Sequence, residues 1–268
     1  MKLALLTHEP FYPPSGGGSA EAIYLVQELA KRGHEVHIFC PQVSELETIQ
    51  KRFGVSLHEF KTWQMGRYTA LRNFKYLLYP FLLQRLVESR ALTQKFDLVL
   101  SQHAISAVAA GRLKKSLKVP VVMNFLDFLT AFMETWPPYL APPPLLRRLT
   151  EFELSIPGRY QADGILTVSE TLADYFAATG YARERILPIN FGYDADLFPF
   201  VEPRAEAGPP TAPVVVMHGS LDHHHLGAVA LEAMHHVVQA KPETVFKFVG
   251  HRTGVLENFL RRVRQRIP

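Results

Sequence analysis

Hydrophobic positions along the chain follow two alternating patterns. Short runs of consecutive apolar residues are followed by longer segments in which apolar residues recur every three or four positions, as at Ile23, Val26 and Leu29. The runs predict buried strands, and the longer segments predict helices with one apolar face. The predicted strands lie at residues 3–7, 35–40, 55–60, 97–101, 119–124, 164–168 and 186–189, and the predicted helices at 20–32, 104–117, 145–162 and 170–179. This alternation indicates an α/β fold with a doubly wound parallel sheet.

Three consecutive glycines, Gly16, Gly17 and Gly18, lie in the loop between the first predicted strand and the first predicted helix. Glycine lets the backbone approach a ligand closely, and the start of a helix offers unpaired N–H groups and a partial positive charge. The loop is therefore predicted to bind an anion such as a phosphate. The alternative is a turn that binds no ligand, because the segment has neither a dinucleotide-binding fingerprint nor a Walker loop.

Polar residues follow the predicted strands at the points where ligands bind in doubly wound sheets. These residues are His8, His103, Asp127, Ser169 and Glu170. Because the carboxyl ends of parallel strands meet at one edge of the sheet, we expect these side chains to border a common cleft.

Composition and charge narrow the class of protein. The chain of 268 residues is 47% hydrophobic and 20% charged, which is typical of globular proteins. Its formal net charge of +4 suits phosphorylated small molecules or an anionic membrane surface and is too small to indicate nucleic acid. The single cysteine, Cys40, cannot form an internal disulfide, which predicts a cytoplasmic location. No apolar run approaches the roughly 20 residues of a membrane span.

A change of composition predicts a domain boundary. Residues 201–213 contain four prolines and have the character of a linker. We therefore predict a first domain at residues 1–200 and the start of a second domain at 214–268. In that second segment, strands at 214–217 and 244–249 alternate with helices at 227–240 and 254–266. Two such repeats leave sheet edges exposed, so the second domain is predicted to be incomplete.

Four segments in order along the chain resemble the motifs of one enzyme family. They are LAKRGHEV at 29–36, ADGILTVSE at 162–170, LPINFGYDADLFP at 187–199, and HGSL at 218–221 followed by FKFVG at 246–250. On these motifs the chain resembles the family 4 glycosyltransferases of GT-B architecture, and the resemblance extends over its whole length. It implies a Rossmann-like amino-terminal domain and the beginning of a donor-binding domain.

The resemblance also implies an activity. The chain is expected to move a sugar from a nucleotide-sugar donor to a glycan or lipid-linked acceptor of the cell envelope, without a metal or other cofactor. It implies that Gly16, Gly17 and Gly18 face the leaving diphosphate. His8, Glu21, Ser169 and Glu170 would lie on the acceptor side.

This sequence departs from the family pattern in the first domain. Members often carry a histidine just after the strand that corresponds to 119–124, where this chain has Leu126 and then Asp127. Leu126 cannot transfer a proton, so the acid–base or orienting role is predicted to fall to Asp127. Asp127 could instead be a turn residue. His103 is predicted to line the acceptor pocket, with a helix cap as the alternative.

A second departure lies in the donor-binding segment. The family places an arginine and a lysine near the glycine that corresponds to Gly219, whereas this chain has Ser220 and His225 there. We predict that Gly219, Ser220 and His225 contact the donor. Because charged residues are missing from these positions, the chain alone is expected to transfer sugar poorly or not at all. The histidines at 223–225 could also indicate a metal site, but a solvated turn is favoured.

Residues 61–95 mix basic and aromatic side chains. They could contact an anionic membrane at the inner face, or form a core-facing helix pair broken at Pro80 with the basic residues in solvent. The sequence also leaves open a non-catalytic acceptor-binding subunit that needs a partner chain for its donor site. An epimerase of similar shape is a further alternative.

Overall fold

The described part of the chain forms two units, and the strands of the first unit follow the order of a doubly wound sheet. The computed structural model describes residues 1–13, 17–61, 74–134, 138–139, 141–202, 212–219, 221, 225–250 and 252–267. These residues group into two compact units, one formed by the described residues up to Gly192 and the other beginning at Tyr193. The predicted division at 201–213 remains a prediction, since most of that segment lies outside the described residues.

The first unit contains one parallel sheet. Its strands are β1 (Lys2–Leu6), β2 (Glu35–Pro41), β3 (Ser56–Phe60), β4 (Leu98–Gln102), β5 (Val121–Phe125), β6 (Gly164–Thr167) and β7 (Ile186–Pro188). They pair in the order β3-β2-β1-β4-β5-β6-β7, and every neighbouring pair is parallel. The predicted α/β fold is therefore confirmed. The order reverses direction between β1 and β4, and ligands of such sheets bind at this switch point.

Helices cover both faces of this sheet. They are α1 (Gly17–Lys31), α2 (Leu46–Phe53), α3 (Phe74–Ala91), α4 (His103–Leu117), α5 (Leu129–Met133), α6 (Pro143–Arg159) and α7 (Glu170–Ala178). One core lies under α3, α4, α6 and α7 around Phe39, Leu83 and Phe125. The other core lies under α1 and α2 around Leu5, Val26 and Phe53. Burial on both faces explains why the central strands β1, β4 and β5 appear in the sequence as mostly apolar runs.

Two predictions about helices in this unit were wrong. Helix α1 begins at Gly17, three residues before the predicted start, so Gly17 and Gly18 belong to its first turn and not to a loop. Helix α3 continues through Pro80, where one of the two interpretations of residues 61–95 placed a break. Proline removes one backbone hydrogen bond, but Tyr79, Leu83 and Val87 are all buried along this helix, and that packing holds it together.

The second unit contains β8 (Val214–Gly219), α8 (Ala228–Ala240), β9 (Val245–Gly250) and α9 (Gly254–Arg266). The two strands pair in parallel, as predicted. Its described core is a small cluster from the helices and the loops after β8: Leu221, Leu226, Leu231, Met234, Leu256 and Phe259. Valines of the strands remain exposed, among them Val216 at 54% and Val249 at 56%.

Candidate functional site

Three of the predicted site residues lie together at the switch point of the sheet. His8 follows β1, His103 is the first residue of α4 after β4, and Asp127 comes two residues after β5. The rings of His8 and His103 meet edge to face, with centroids 5.5 Å apart. The carboxyl ends of β1, β4 and β5 thus place these side chains in one cluster.

His103 has an unusual backbone conformation. Its φ of +59° lies in the left-handed region, which residues other than glycine rarely adopt. The side chain is buried, and the strain of this conformation is the kind that surrounding structure imposes at functional sites. The conformation turns the chain from β4 directly into α4 and points the imidazole at the cluster.

Asp127 is the charged partner of His103. Nδ1 of His103 and Oδ1 of Asp127 lie 3.2 Å apart, which fits an ion pair. Both atoms are shielded from solvent and have no well-aligned hydrogen-bond partner among the described residues. The His103 side chain is 8% exposed and the Asp127 side chain 39%, so the carboxylate is the part of the pair that a ligand can reach.

The environment of His103 raises its pKa. Burial, the largest single influence, acts in the opposite direction by disfavouring the charged ring. The contact with Asp127, its negative charge and the charges of Glu9 and Glu153 together outweigh that effect and raise the pKa above its ordinary value. The imidazole is therefore held closer to its protonated form than a free histidine would be.

Gly18 leaves room for His103. A Cβ atom built on Gly18 would lie 2.6 Å from Nε2 of His103 and 3.5 Å from Cδ1 of Leu126, whereas a Cβ on Gly17 would meet nothing within 4 Å. The glycine at position 18 thus has a packing reason that the sequence did not reveal. Anion binding by Gly17 and Gly18 stays a prediction, and Gly16 lies outside the described residues.

Glu21 ties α1 to the ends of two strands. Its Oε1 accepts a hydrogen bond from Nδ2 of Asn124 at 3.0 Å, and its Oε2 accepts one from Nε2 of Gln102. Nε2 of Gln102 also donates to the carbonyl oxygen of Gly18 at 3.2 Å. Burial raises the pKa of Glu21, although the two amides and His103 counteract it. The acceptor-side role of Glu21 remains a prediction.

Sequence reasoning missed Gln102 and Asn124 as parts of this network. Gln102 is the last residue of β4, Asn124 is the polar residue next to the end of β5, and both are buried. A buried amide at a strand end needs partners, which is the signal that could have identified both residues.

Glu153 was also missed, and it is 1% exposed. Its carboxylate accepts hydrogen bonds from the backbone N–H groups of Leu129 and Thr130, at 3.0 and 3.3 Å, and from Oγ1 of Thr130 at 3.0 Å. Burial, the main cause, and the charge of Asp127 raise the pKa of Glu153 despite these bonds. Glu153 lies three residues before Ile156, on the same apolar face of α6. A glutamate at such a position is the sequence signal that could have identified it.

Ser169 and Glu170 make local contacts at the carboxyl end of β6. Oγ of Ser169 accepts a hydrogen bond from the backbone N–H of Leu172 at 3.2 Å and caps α7. Glu170 forms an ion pair with Arg183. These bonds give both residues a structural use, and their role toward an acceptor stays a prediction.

The donor-side residues of the second unit are described only in part. Gly219 ends β8 with a φ of +131°, a conformation that L side chains rarely adopt. A Cβ on Gly219 would lie 3.7 Å from Cε1 of His225. Ser220 and residues 222–224 lie outside the described residues. Within the described residues, no three histidine, cysteine, aspartate or glutamate side chains are grouped as a metal site requires.

Comparison of sequences identifies one family. A family model described as Glycosyltransferase Family 4 matches residues 15–197. That range covers the glycines that open α1, the His103–Asp127 pair and the cap of α7. Among curated protein sequences, none matches the chain.

Several solved structures share the fold. Anabaena Alr3699/HepE, in complex with UDP and glucose, aligns with a TM-score of 0.63 and 16% identity, over 100% of this chain and 66% of that one. Sucrose-phosphate synthase from Thermosynechococcus elongatus aligns with a TM-score of 0.68 and 14% identity, over 99% of this chain and 69% of that one. The lipopolysaccharide outer core galactosyltransferase WaaB aligns with a TM-score of 0.57 and 13% identity, over 99% of this chain and 66% of that one. The chain thus spans about two thirds of their length.

Proposed function

Because the chain belongs to glycosyltransferase family 4, we propose that it takes part in moving a sugar from a nucleotide-sugar donor to a glycan or lipid-linked acceptor, without a metal ion. The observation that carries the proposal is the His103–Asp127 pair at the switch point of the sheet. It combines a buried imidazole of raised pKa with a partly exposed carboxylate 3.2 Å away. In such a pair the carboxylate is the group that can accept a proton, and the imidazole holds it in place.

Asp127 is proposed to receive the proton. In the transfer, the acceptor oxygen forms a bond to C1 of the sugar, and the bond from C1 to the leaving diphosphate breaks with its electron pair. The proton of the acceptor hydroxyl passes to the carboxylate of Asp127. His103 orients that carboxylate from the buried side.

The diphosphate of the donor is proposed to lie at the start of α1. Gly17 has open space beside its Cα, and the first turn of α1 presents unpaired N–H groups there. For the second unit by itself, we propose that Gly219, Ser220 and His225 contact a nucleotide-sugar donor. HepE was solved with UDP and glucose, which makes UDP-glucose the first donor to test.

An activity assay tests this function. The purified chain is incubated with UDP-, GDP- and ADP-sugars and a panel of glycan acceptors, and products are followed by mass spectrometry. Where transfer by the chain is measurable, Asp127→Asn should lower it by about 10²–10⁴-fold, the range typical of lost acid–base catalysis. Glu28→Gln removes an exposed carboxylate on α1 and should leave the rate unchanged. Equal rates for Asp127→Asn and the wild type would contradict the role of Asp127.

A lipid-linked acceptor would bring the chain to the inner face of a membrane, and we propose that α3 makes this contact. Leu77 and Phe81 are exposed one turn apart on α3, and the guanidinium of Arg85 lies 4.4 Å from the centre of the Phe81 ring. Apolar side chains beside a cation suit an anionic lipid surface. No helix in the described part of the chain is long and apolar enough to cross a bilayer.

Sedimentation with anionic liposomes at low and high salt tests this contact. Phe81→Ser should weaken binding, whereas Leu92→Ser should not, because Leu92 is an even more exposed apolar residue but lies beyond the end of α3. Absence of binding to anionic vesicles would remove the membrane proposal and leave the transferase proposal intact.

The second candidate function is a non-catalytic acceptor-binding module whose donor site needs a partner chain. The exposed strand valines of the second unit favour it, because they offer a surface that another chain could cover. Titration with UDP, GDP and ADP separates the candidates. Saturable nucleotide binding by the chain alone favours the transferase, and its absence favours the module.

A further inference from the structure

Glu153 lies in the middle of α6, yet its carboxylate bonds to the start of another helix. Helix α5 begins after Phe128, whose side chain provides no cap. The hydrogen bonds from Leu129 and Thr130 to Glu153 therefore satisfy N–H groups that the helix itself leaves unpaired. A fixed anion at this position also complements the partial positive charge of the helix start.

The segment that Glu153 holds is the segment that carries Asp127. Asp127 and Leu129 are two residues apart, and between them Phe128 packs against Tyr175 and Phe176 of α7, with ring centroids 5.7 and 6.0 Å away. The loop after β5 is therefore anchored on one side by an apolar contact and on the other by three hydrogen bonds to one carboxylate. Asp127 directly precedes these anchors in the chain and lies against His103.

We propose that Glu153 is a positioning residue for the His103–Asp127 pair. It holds the start of α5 and thereby keeps the carboxylate of Asp127 against the imidazole. The catalytic meaning of this role rests on the proposed function, but the role itself is a property of the folded chain. It can therefore be tested without turnover.

Charged and titratable groups face His103 from every side of the cluster. Asp127 comes from the loop after β5, His8 and Glu9 from the loop after β1, Glu21 from α1 and Glu153 from α6. Glu153 acts twice, through the position of Asp127 and through its own charge. Both effects raise the pKa of His103, so removing the Glu153 carboxylate should lower it.

The test is an NMR titration of the His103 ring in the wild type, Glu153→Gln and Glu153→Asp, with the signal assigned from His103→Asn. Glutamine removes the negative charge and places an amide N–H donor against the backbone N–H groups of Leu129 and Thr130, which are donors themselves. The titration midpoint of His103 should therefore move to lower pH. Aspartate keeps the charge but shortens the reach, so the movement should be smaller. Glu151→Gln, which removes an exposed carboxylate of the same helix, should cause none.

An unchanged His103 titration in folded Glu153→Gln would overturn the proposal. If that variant does not fold, an unchanged titration in Glu153→Asp would overturn it equally. Where turnover is measurable, we expect Glu153→Gln to lower kcat by up to about 10²-fold with little change in the donor KM, as a misplaced catalytic group does. Absence of turnover in the wild type would count against the proposed function, and the titration would still decide the role of Glu153.

Discussion

His103 occupies the left-handed region of backbone conformation at the first position of α4, and its imidazole fills the space that a side chain on Gly18 would need. Neither fact can be predicted from the neighbouring residues, because they arise from two segments about 85 positions apart meeting at the switch point. The position of polar residues at the strand ends was predicted correctly from the sequence. The sequence did not show that a glycine and a histidine pack together there.

Alanine at position 18 should disturb His103 more than it disturbs folding. The new Cβ would lie 2.6 Å from Nε2 of His103, so the ring must move, while the gain in helix propensity over glycine, up to about 1 kcal/mol, offsets part of the cost. The NMR signal of the His103 ring should shift in Gly18→Ala. Gly17→Ala is the matched control, since its Cβ meets open space; an equal shift in both variants would contradict this packing.

Protonation of His103 should stabilise the first unit in a pH-dependent way. Because the folded-state pKa is raised above the ordinary value of 6.5, the contribution is complete below that pH and is lost as pH rises through the folded pKa. His103→Asn removes the titration while tolerating the left-handed backbone. The wild type should therefore exceed His103→Asn in unfolding free energy most clearly at low pH.

Hydrogen exchange of the β1 and β4 amides, measured from pH 6 to 9, checks this dependence. The difference between the wild type and His103→Asn should shrink with rising pH. A difference that grows with pH would mean that burial, which lowers the pKa, outweighs Asp127 and its acidic neighbours.

Whole elements were predicted with unequal success, for physical reasons. The central strands are buried on both faces and give mostly apolar runs, so they could be located from the sequence, whereas the edge strand β3 was located without such a run. The short helix α5 could not, because its first N–H groups are capped by Glu153 from a distant helix. The start of α1 was missed because glycine disfavours helices. Glycine is nevertheless present at position 18 of this helix because a side chain there would collide with His103.

Packing of α4 against the end of α6 depends on one glycine, because Gly111 contacts Tyr160, the residue that follows α6. A Cβ on Gly111 would lie 2.2 Å from Cγ of Tyr160, so Gly111→Ala forces the ring or the helix to move. We expect a loss of about 1–3 kcal/mol in unfolding free energy, the usual cost of overpacking. Thermal and urea unfolding measure it. Gly158→Ala, with open space around its Cβ, should not destabilise, and a loss as large as that of Gly111→Ala would contradict the argument.

At the scale of the whole molecule, the two units differ in how far their sheets are buried. Strand β1 is buried at four of its five positions, whereas no position of β8 or β9 is buried. Buried apolar area is the main source of folding stability. The first unit therefore has the means to fold by itself, while the described second unit has only a small cluster to hold two strands and two helices.

This contrast predicts separate unfolding of the two units, seen by hydrogen exchange mass spectrometry of the purified chain. Amides of β8 and β9 should exchange much faster than those of β1, β4 and β5, because opening them exposes little additional apolar surface. Gly250→Ala should accelerate exchange in β8 and β9 alone, since its Cβ would lie 2.2 Å from the carbonyl oxygen of Gly219. Gly254→Ala meets nothing within 4 Å and is the control. Equal protection of both sheets in the isolated chain would contradict the argument and would mean that another surface covers β8 and β9.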